Sequence, residues 1–391
     1  MISFAPVLGG GIDSRCAQEL LSAAAIADAG RAPPREAGDH AHQPYLIAAL
    51  DWLLRALPAT GGGSAPAGAT GDIIPTLYRA ARHLGRADLA RHADRAAQWA
   101  LEVQLPSGAV RAGAIGLPGD RAVSDTGCVL RAWLAAFVET GCGVFAGAAR
   151  RAGRYLLATL GEDNLWQRDR RGVADTQAAR AGARTAWALA EAGRRLGAPE
   201  FRAAAARALR AIAGRQRHDG WIPDLGCPAG VRPRLDTVAA TVRGLLEGGR
   251  TLGDERLIAR AALTAERVAG VVGPDGRLAG RIGTGWRPAV SWTCLAAAAQ
   301  MANTWLRLRE ITGDVKWVEP AVAVVGFLKS TQNRASGDVG LRGGIVAATI
   351  LGRGDGPRRP LTWATKHFVD ALIGDESRRR GGPPGAAEGL A

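Results

Sequence analysis

Five segments of this chain read alike and recur at nearly constant spacing, which limits the fold more than any other feature of its 391 residues. They start near Asp72, Asp125, Ala181, Asp236 and Ser291, at steps of 53, 56, 55 and 55 residues. Each carries apolar residues at i, i+3, i+4 and i+7 and ends on glycine, and most open on a residue able to cap a helix. The pattern predicts an amphipathic helix in each. A second helical segment follows each one, over 87–104, 145–160, 199–216, 254–272 and 314–332. Turns bearing Gly or Trp come after the pairs: SGAV at 107–110, NLW at 164–166, DGWI at 219–222 and DGRL at 275–278. A helical hairpin unit of this period cannot bury its apolar faces alone, so the units must stack into a solenoid or close into a ring.

The ends of the array decide between the two. A sixth first-type helix, TWATKHFVDALI at 362–373, has no following partner, and an early helix, YLIAALDWLLRAL at 45–57, has no preceding one. Both are strongly apolar, whereas an open solenoid needs polar caps. Pairing them closes six hairpins into an all-α (α/α)6 toroid over 42–375. Residues 1–41 are expected to be an irregular arm. Residues 376–391, rich in Gly, Pro and Arg, are expected to be a disordered tail. The stretch ATGGGSAPAGATG at 59–71 also reads as irregular.

Composition narrows the chemistry. The net charge of +14 favours an anionic partner, although only three of the 50 basic residues are lysine, a skew that reads first as GC-rich coding. The five cysteines are scattered singly, with no CxxC and no Cys/His cluster at zinc spacing, so neither a disulfide framework nor a metal site is expected. No cofactor is expected: Walker A, GxGxxG and GxSxG elements are absent. Without a helix–turn–helix or RNP signature, specific nucleic-acid binding is not expected either. The first residues do not read as a secretory leader and no stretch suits a membrane span, which together suggest a reduced, cytoplasmic protein.

In a toroid the first-type helices line the centre and their N-terminal ends open at one rim. That brings together Asp72, Asp125, Arg184, Asp236, Trp292, Trp363, Lys366 and His367. The turns are expected to add Trp166, Trp221, Asp224, Trp286, Arg287 and Arg342. Trp faces stack on pyranose C–H surfaces and Arg forks pair with carboxylates, so such a rim suits an acidic sugar. Asp125, Asp236 and His367 are the acid/base candidates. Arg184, Trp221, Trp286, Arg287, Trp292, Arg342, Trp363 and Lys366 are the candidates for holding substrate. Each has a plainer role open to it: Asp72, Asp125 and Asp236 can cap helices, His367 can be a packing residue, and Trp292 can be core.

Several motifs extend this reading. They are SDTGCVLRAW at 124–133, RTAWAL at 184–189, DGWI at 219–222, DTVAATVRGLLE at 236–247, GWRPAVSWTCLAAAAQMANTWLRLREITGD at 285–314, GGI at 343–345 and TWATKHFVDAL at 362–372. In order and spacing, from about residue 120 to 373, the chain resembles bacterial toroid proteins associated with exopolysaccharide and capsule biosynthesis. These are grouped with the prenyltransferase/squalene-cyclase-like (α/α)6 toroids. The resemblance implies carbohydrate handling. The chain departs from that pattern at Cys128 (Gln in the pattern), Asp236 (His), Ala240 (Tyr), Ala297 and Ala298 (Gly-Asn), and Thr362 (Asn).

The expected function is that of a carbohydrate-binding or carbohydrate-modifying toroid of polysaccharide biosynthesis, acting on an acidic oligosaccharide or polysaccharide as a hydrolase, lyase or epimerase. One alternative is a pseudoenzyme or scaffold subunit that docks a protein partner of a glycan-assembly complex. Another is a terpenoid cyclase or prenyltransferase-like enzyme. The latter shares the fold, but the chain lacks a DxDD acid motif and an aligned Asp, Cys and His zinc set. QRHDGW at 216–221 is one imperfect copy of the Q-and-W turn motif of triterpene cyclases.

Overall fold

The computed structural model describes residues 42–57, 67–111, 121–166, 176–223, 232–349 and 359–381. The described residues form twelve α-helices: α1 (Gln43–Ala56), α2 (Ala67–Leu84), α3 (Ala87–Glu102), α4 (Val123–Thr140), α5 (Gly143–Ala158), α6 (Thr176–Arg195), α7 (Pro199–Gly214), α8 (Leu235–Leu252), α9 (Glu255–Ala269), α10 (Leu295–Thr312), α11 (Val318–Thr331) and α12 (Thr362–Arg379). Even-numbered helices pack on one another in sequence, and α12 returns to pack on α2. They make a closed inner ring. Odd-numbered helices pack outside it, α1 on α12 and each of the others on the inner helix before it. The fold is an all-α (α/α)6 toroid. Two short antiparallel ladders adorn it: β1 (Val110–Arg111) with β2 (Arg121–Ala122), and β3 (Thr293–Cys294) with β4 (Ala348–Thr349).

The apolar stripes read from the sequence form the layer between the rings. Trp133 on α4 and Trp305 on α10 are fully buried there. Their indole N–H groups donate to outer-helix carbonyls, Trp133 to Ala97 at 3.3 Å and Trp305 to Ala265 at 3.0 Å, so the large rings bury no unsatisfied donor. Adjacent hairpins are stapled by a repeated device at the ends of outer helices. Gln104 donates to Gly108 and Ala148 carbonyls, Gln216 to Gly220 and Arg260, and Gln332 to Gly343 and Tyr45. The glycines hold positive φ and lie against the next outer helix, where a Cβ would collide with backbone at Gly108 and Gly343. The single QRHDGW copy legible in the sequence is therefore one of three structural copies among the described residues.

Two boundaries differ from expectation. Helix α2 begins at Ala67, so part of the Gly-rich stretch at 59–71 is helical. Gly68 and Gly71 face α4 so closely that a Cβ would strike Asp125 or Val129, and tight packing there outweighs the poor helix propensity of glycine. At the other end α12 runs to Arg379 rather than stopping at 375. Asp375 accepts from His42 at 2.7 Å and from Arg378 and Arg379, while Glu376 pairs with His83 at 2.6 Å. These contacts hold the last turn of α12 against α1 and α2. Residues 1–41 and 382–391 lie outside the described residues.

Cys128 and Cys294 are free thiols, whereas Cys142 is disulfide-bonded. No described helix is long and apolar enough to cross a membrane.

The close approach of inner helices generates a paired test. A Cβ at Gly244 of α8 would collide with the backbone of Ala183 in α6, whereas Gly326 of α11 has open space around it. Gly244→Ala should destabilise by about 1–3 kcal/mol. Gly326→Ala should stabilise by up to about 1 kcal/mol. Denaturant unfolding of the two variants checks both, and equal effects would mean that the inner ring is not packed as described.

Candidate functional site

Inner helices have a second flank that faces the lumen, and there the sequence places charge rather than hydrocarbon. At the end where the inner helices begin, the lumen opens into a cavity of about 600 Å³. Its lining comes from α2 (Gly68, Ala69, Asp72), α4 (Ser124, Asp125, Gly127, Cys128, Arg131), α6 (Arg184, Thr185), α8 (Asp236, Ala240), α10 (Gln300) and the start of α12 (Thr362, Trp363, His367), with Leu361 at the mouth.

Asp72 is the hub of the floor. It is 5 % exposed and stands in the second turn of α2 instead of capping it. Arg184 donates to its Oδ1; Arg131 Nη1 lies 3.7 Å and Lys366 Nζ 4.0 Å from the same oxygen. His367 Nε2 lies 3.9 Å from Oδ2. Burial alone would raise the Asp72 pKa, but Arg184 and Lys366 hold the carboxyl well below the usual carboxylate range. Lys366 also reaches Asp370, four residues on, at 2.8 Å, and Thr76 donates to Asp370 at 2.9 Å. Asp370 is fully buried, and Lys366 and Arg79 keep it ionised against its burial.

His367 is buried and accepts at Nε2 from the Gln300 amide, 2.7 Å away. Burial and the neighbouring Lys366 push its pKa well below the usual imidazole range, more than Asp72 raises it. It is a neutral imidazole at neutral pH. Cys128 is no thiolate, because burial pushes its thiol up to about 11 despite Arg184 nearby. Asp125 lies half-buried in the first turn of α4. Asp236 is buried in the first turn of α8, where Arg234 donates to both of its oxygens at 3.1–3.2 Å.

Of the residues singled out from sequence, Asp72, Asp125, Arg184, Asp236, Trp363 and His367 line this cavity together. Lys366 lies just beneath it. The others do not line it. Trp221 and Trp286 pack edge to face, with ring centroids 5.3 Å apart, and Trp286 Nε1–H donates to the Asp219 carbonyl, so both are turn core. Trp292 lies over Gly280, and Arg287 and Arg342 are exposed away from the cavity. The turns of Trp221 and Arg342 lie against outer helices, where Gly220 packs on Leu263 of α9 and Arg55 of α1 donates to the Arg342 carbonyl. Asp224 lies outside the described residues. Of the departures from the resembled pattern, Cys128, Asp236, Ala240 and Thr362 are all cavity lining, whereas Ala297 and Ala298 are fully buried core.

Deeper down, the lumen is filled by pairs that were not singled out from sequence. Arg307 on α10 donates to Glu247 on α8 at 3.0 Å, and Arg243 pairs with Glu247 at 3.0 Å. Thr251 on α8 donates to fully buried Glu191 on α6. Their signal was the i, i+4 step, as in Arg243/Glu247 and Lys366/Asp370, which is normally that of a solvated helix face. Among the described residues no group of His, Cys, Asp and Glu could hold a metal ion.

By sequence, no protein-family model and no curated protein matches this chain. The fold does find relatives. Cellobiose 2-epimerase from Bacillus thermoamylovorans superposes with a TM-score of 0.68 at 12% identity, over 85% of this chain and 97% of that one. An unsaturated glucuronyl hydrolase specific for heparin gives 0.66 at 16% identity, over 88% and 99%. A type II terpene cyclase from Scytonema gives 0.54 at 18% identity, over 86% and 98%. At such identities the likeness establishes the shared toroid.

The floor makes stability depend on pH. When unfolded, Asp72 and Glu247 take up protons near pH ~4, whereas folded they stay ionised to lower pH. Unfolded His367 takes up a proton below about pH 6.5, whereas folded it stays neutral. In both ranges the unfolded state binds more protons, so stability is lost as pH falls. Melting temperature should be level between about pH 7 and 8, decline below about pH 6.5, and decline more steeply below about pH 4.5. His367→Gln should flatten the first decline; an unchanged slope would mean that His367 is not held neutral.

Proposed function

We propose that the central cavity is a carbohydrate site and that the protein modifies an acidic sugar or glycan there, in the polysaccharide-biosynthetic setting the sequence resemblance implies. The observation that carries the reading is the floor: a buried carboxylate, guanidinium and imidazole cluster at the base of an open cavity of about 600 Å³. That volume is in the range of small-molecule sites and accommodates a short oligosaccharide. Toroid neighbours named as an epimerase, a glucuronyl hydrolase and a D-mannose isomerase support the same class of ligand.

The roles follow from position. The inner helices present their N-terminal ends to the cavity, which favours a negative ligand. Arg184, whose side chain is 22 % exposed beside Asp72, is assigned to a sugar carboxylate, with Lys366 beneath adding field. Half-buried Trp363 at the mouth is assigned to stacking on a pyranose face. Asp125 on the wall and neutral His367 on the floor are assigned as the acid/base pair, His367 as the proton acceptor once substrate displaces the Gln300 amide. Asp236, clamped by Arg234, is assigned to positioning.

A second reading, a non-catalytic glycan-binding subunit, is favoured by one observation: Asp72 is committed to its cations and His367 Nε2 to Gln300. A terpenoid cyclase is disfavoured, because an ionised Asp72 cannot protonate an alkene and the floor is polar.

Calorimetric titration with uronic acid disaccharides and their neutral counterparts tests the reading. Wild type should bind the acidic sugars more tightly, and Arg184→Ala and Trp363→Ala should each weaken binding about tenfold, roughly 1.4 kcal/mol. Turnover that His367→Asn abolishes without loss of binding would select the enzyme over the binding subunit. Binding of neither sugar class, or affinity unchanged in both binding variants, would overturn the assignment.

A further inference from the structure

Beneath Asp72 lies a second, much smaller chamber of about 20 Å³. Arg131, Arg184, Gln300 and His367 line both spaces and divide them. Trp187, Arg243, Asn303, Lys366 and Asp370 complete the lower wall. The volume holds one water-sized occupant and excludes a sugar ring or a polyatomic acid. It is therefore not an extension of the carbohydrate site above.

The wall chemistry separates the two occupants of that size. Among the described residues four cations, Arg131, Arg184, Arg243 and Lys366, line the chamber with one carboxylate, Asp370. Carboxylates behind the wall are shared. Asp72 serves Arg131, Arg184 and Lys366 together, and Glu247 serves Arg243, Arg250 and Arg307. Among the described residues positive charge thus exceeds negative around a largely buried space, a costly arrangement that an anion relieves and a water molecule does not. A neutral donor points to the same conclusion. Trp187 is 2 % exposed, and its Nε1–H makes no hydrogen bond, whereas Trp133 and Trp305 on α4 and α10 satisfy theirs on outer helices. Trp187 is instead sandwiched by guanidiniums, Arg131 at 3.7 Å and Arg243 at 5.9 Å from the ring centroid. Its ring lines the chamber and its N–H is left without a partner.

We propose that this chamber binds a single halide-class anion, held by Lys366 and the flanking guanidiniums with Trp187 Nε1–H as a neutral donor. The anion would neutralise the underside of the floor and so help hold Arg184 and His367 in place above it.

The test uses the full chain at matched ionic strength in sodium chloride, sodium bromide and sodium methanesulfonate, the last too large to enter. Melting temperature should rise saturably with chloride and bromide and not with methanesulfonate. Trp187→Phe, which keeps a ring under Arg131 but removes the donor, should raise the half-saturating chloride concentration about tenfold. Crystals soaked in bromide should show an anomalous peak inside the chamber, a measurement that needs no variant. Identical melting in all three salts, or bromide found only on the outer surface, would overturn the proposal and leave the chamber to water.

Discussion

Everything in this structure depends on how a closed ring of helices fills its own centre. Each inner helix is flanked by its neighbours and backed by an outer helix, so its remaining side faces the lumen and meets no hydrocarbon. The sequence puts Asp, Glu, Arg, Lys and His there, and unpaired charge in such a place is costly. Carboxylates shared between helices meet that demand: Asp72 joins α2 to α4, α6 and α12; Asp370 joins α12 to α2; Glu247 joins α8 to α10. The same contacts that make the lumen tolerable lock the ring shut.

The candidate site follows from where this pairing stops. At the end where inner helices begin, small residues such as Gly68, Ala69, Gly127 and Ala240 leave a cavity above Asp72. The floor is preorganised because its members are held from several helices and from below. That architecture explains two electrostatic facts that would be hard to reconcile in isolation. A buried carboxylate stays ionised, while a buried histidine nearby stays neutral. Asp72 is surrounded by cations, whereas His367 sits against Lys366 and gains too little from Asp72 to offset burial.

Much of this was legible because helical hairpins carry their periodicity openly. The steps of 53 to 56 residues and the unpaired apolar helices at the two ends lead directly to a closed ring. Asp125, Arg184, Asp236, Trp363 and His367 could be placed on one rim because they share a phase within the repeat. Trp221, Trp286 and Trp292 could not be distinguished from ligand platforms, since a turn tryptophan looks the same in sequence whether it folds inward or outward. Glu247 and Asp370 escaped notice because an i, i+4 charge pair on a lumenal flank is written like one on a solvated surface.

By itself, then, the sequence determined the local and periodic features: helix positions, the repeat, the number of hairpins and which helices seek a partner. These rest on interactions within a few residues of the chain and on the alternation of apolar and polar faces. The tertiary structure alone decided which charges became buried, which carboxylate served which cation, and that a cavity opens above Asp72 with a smaller chamber below. Those outcomes depend on residues nearly three hundred positions apart meeting where the ring closes, as Thr76 meets Asp370. Burial and shared charge in that space have no signature along the chain.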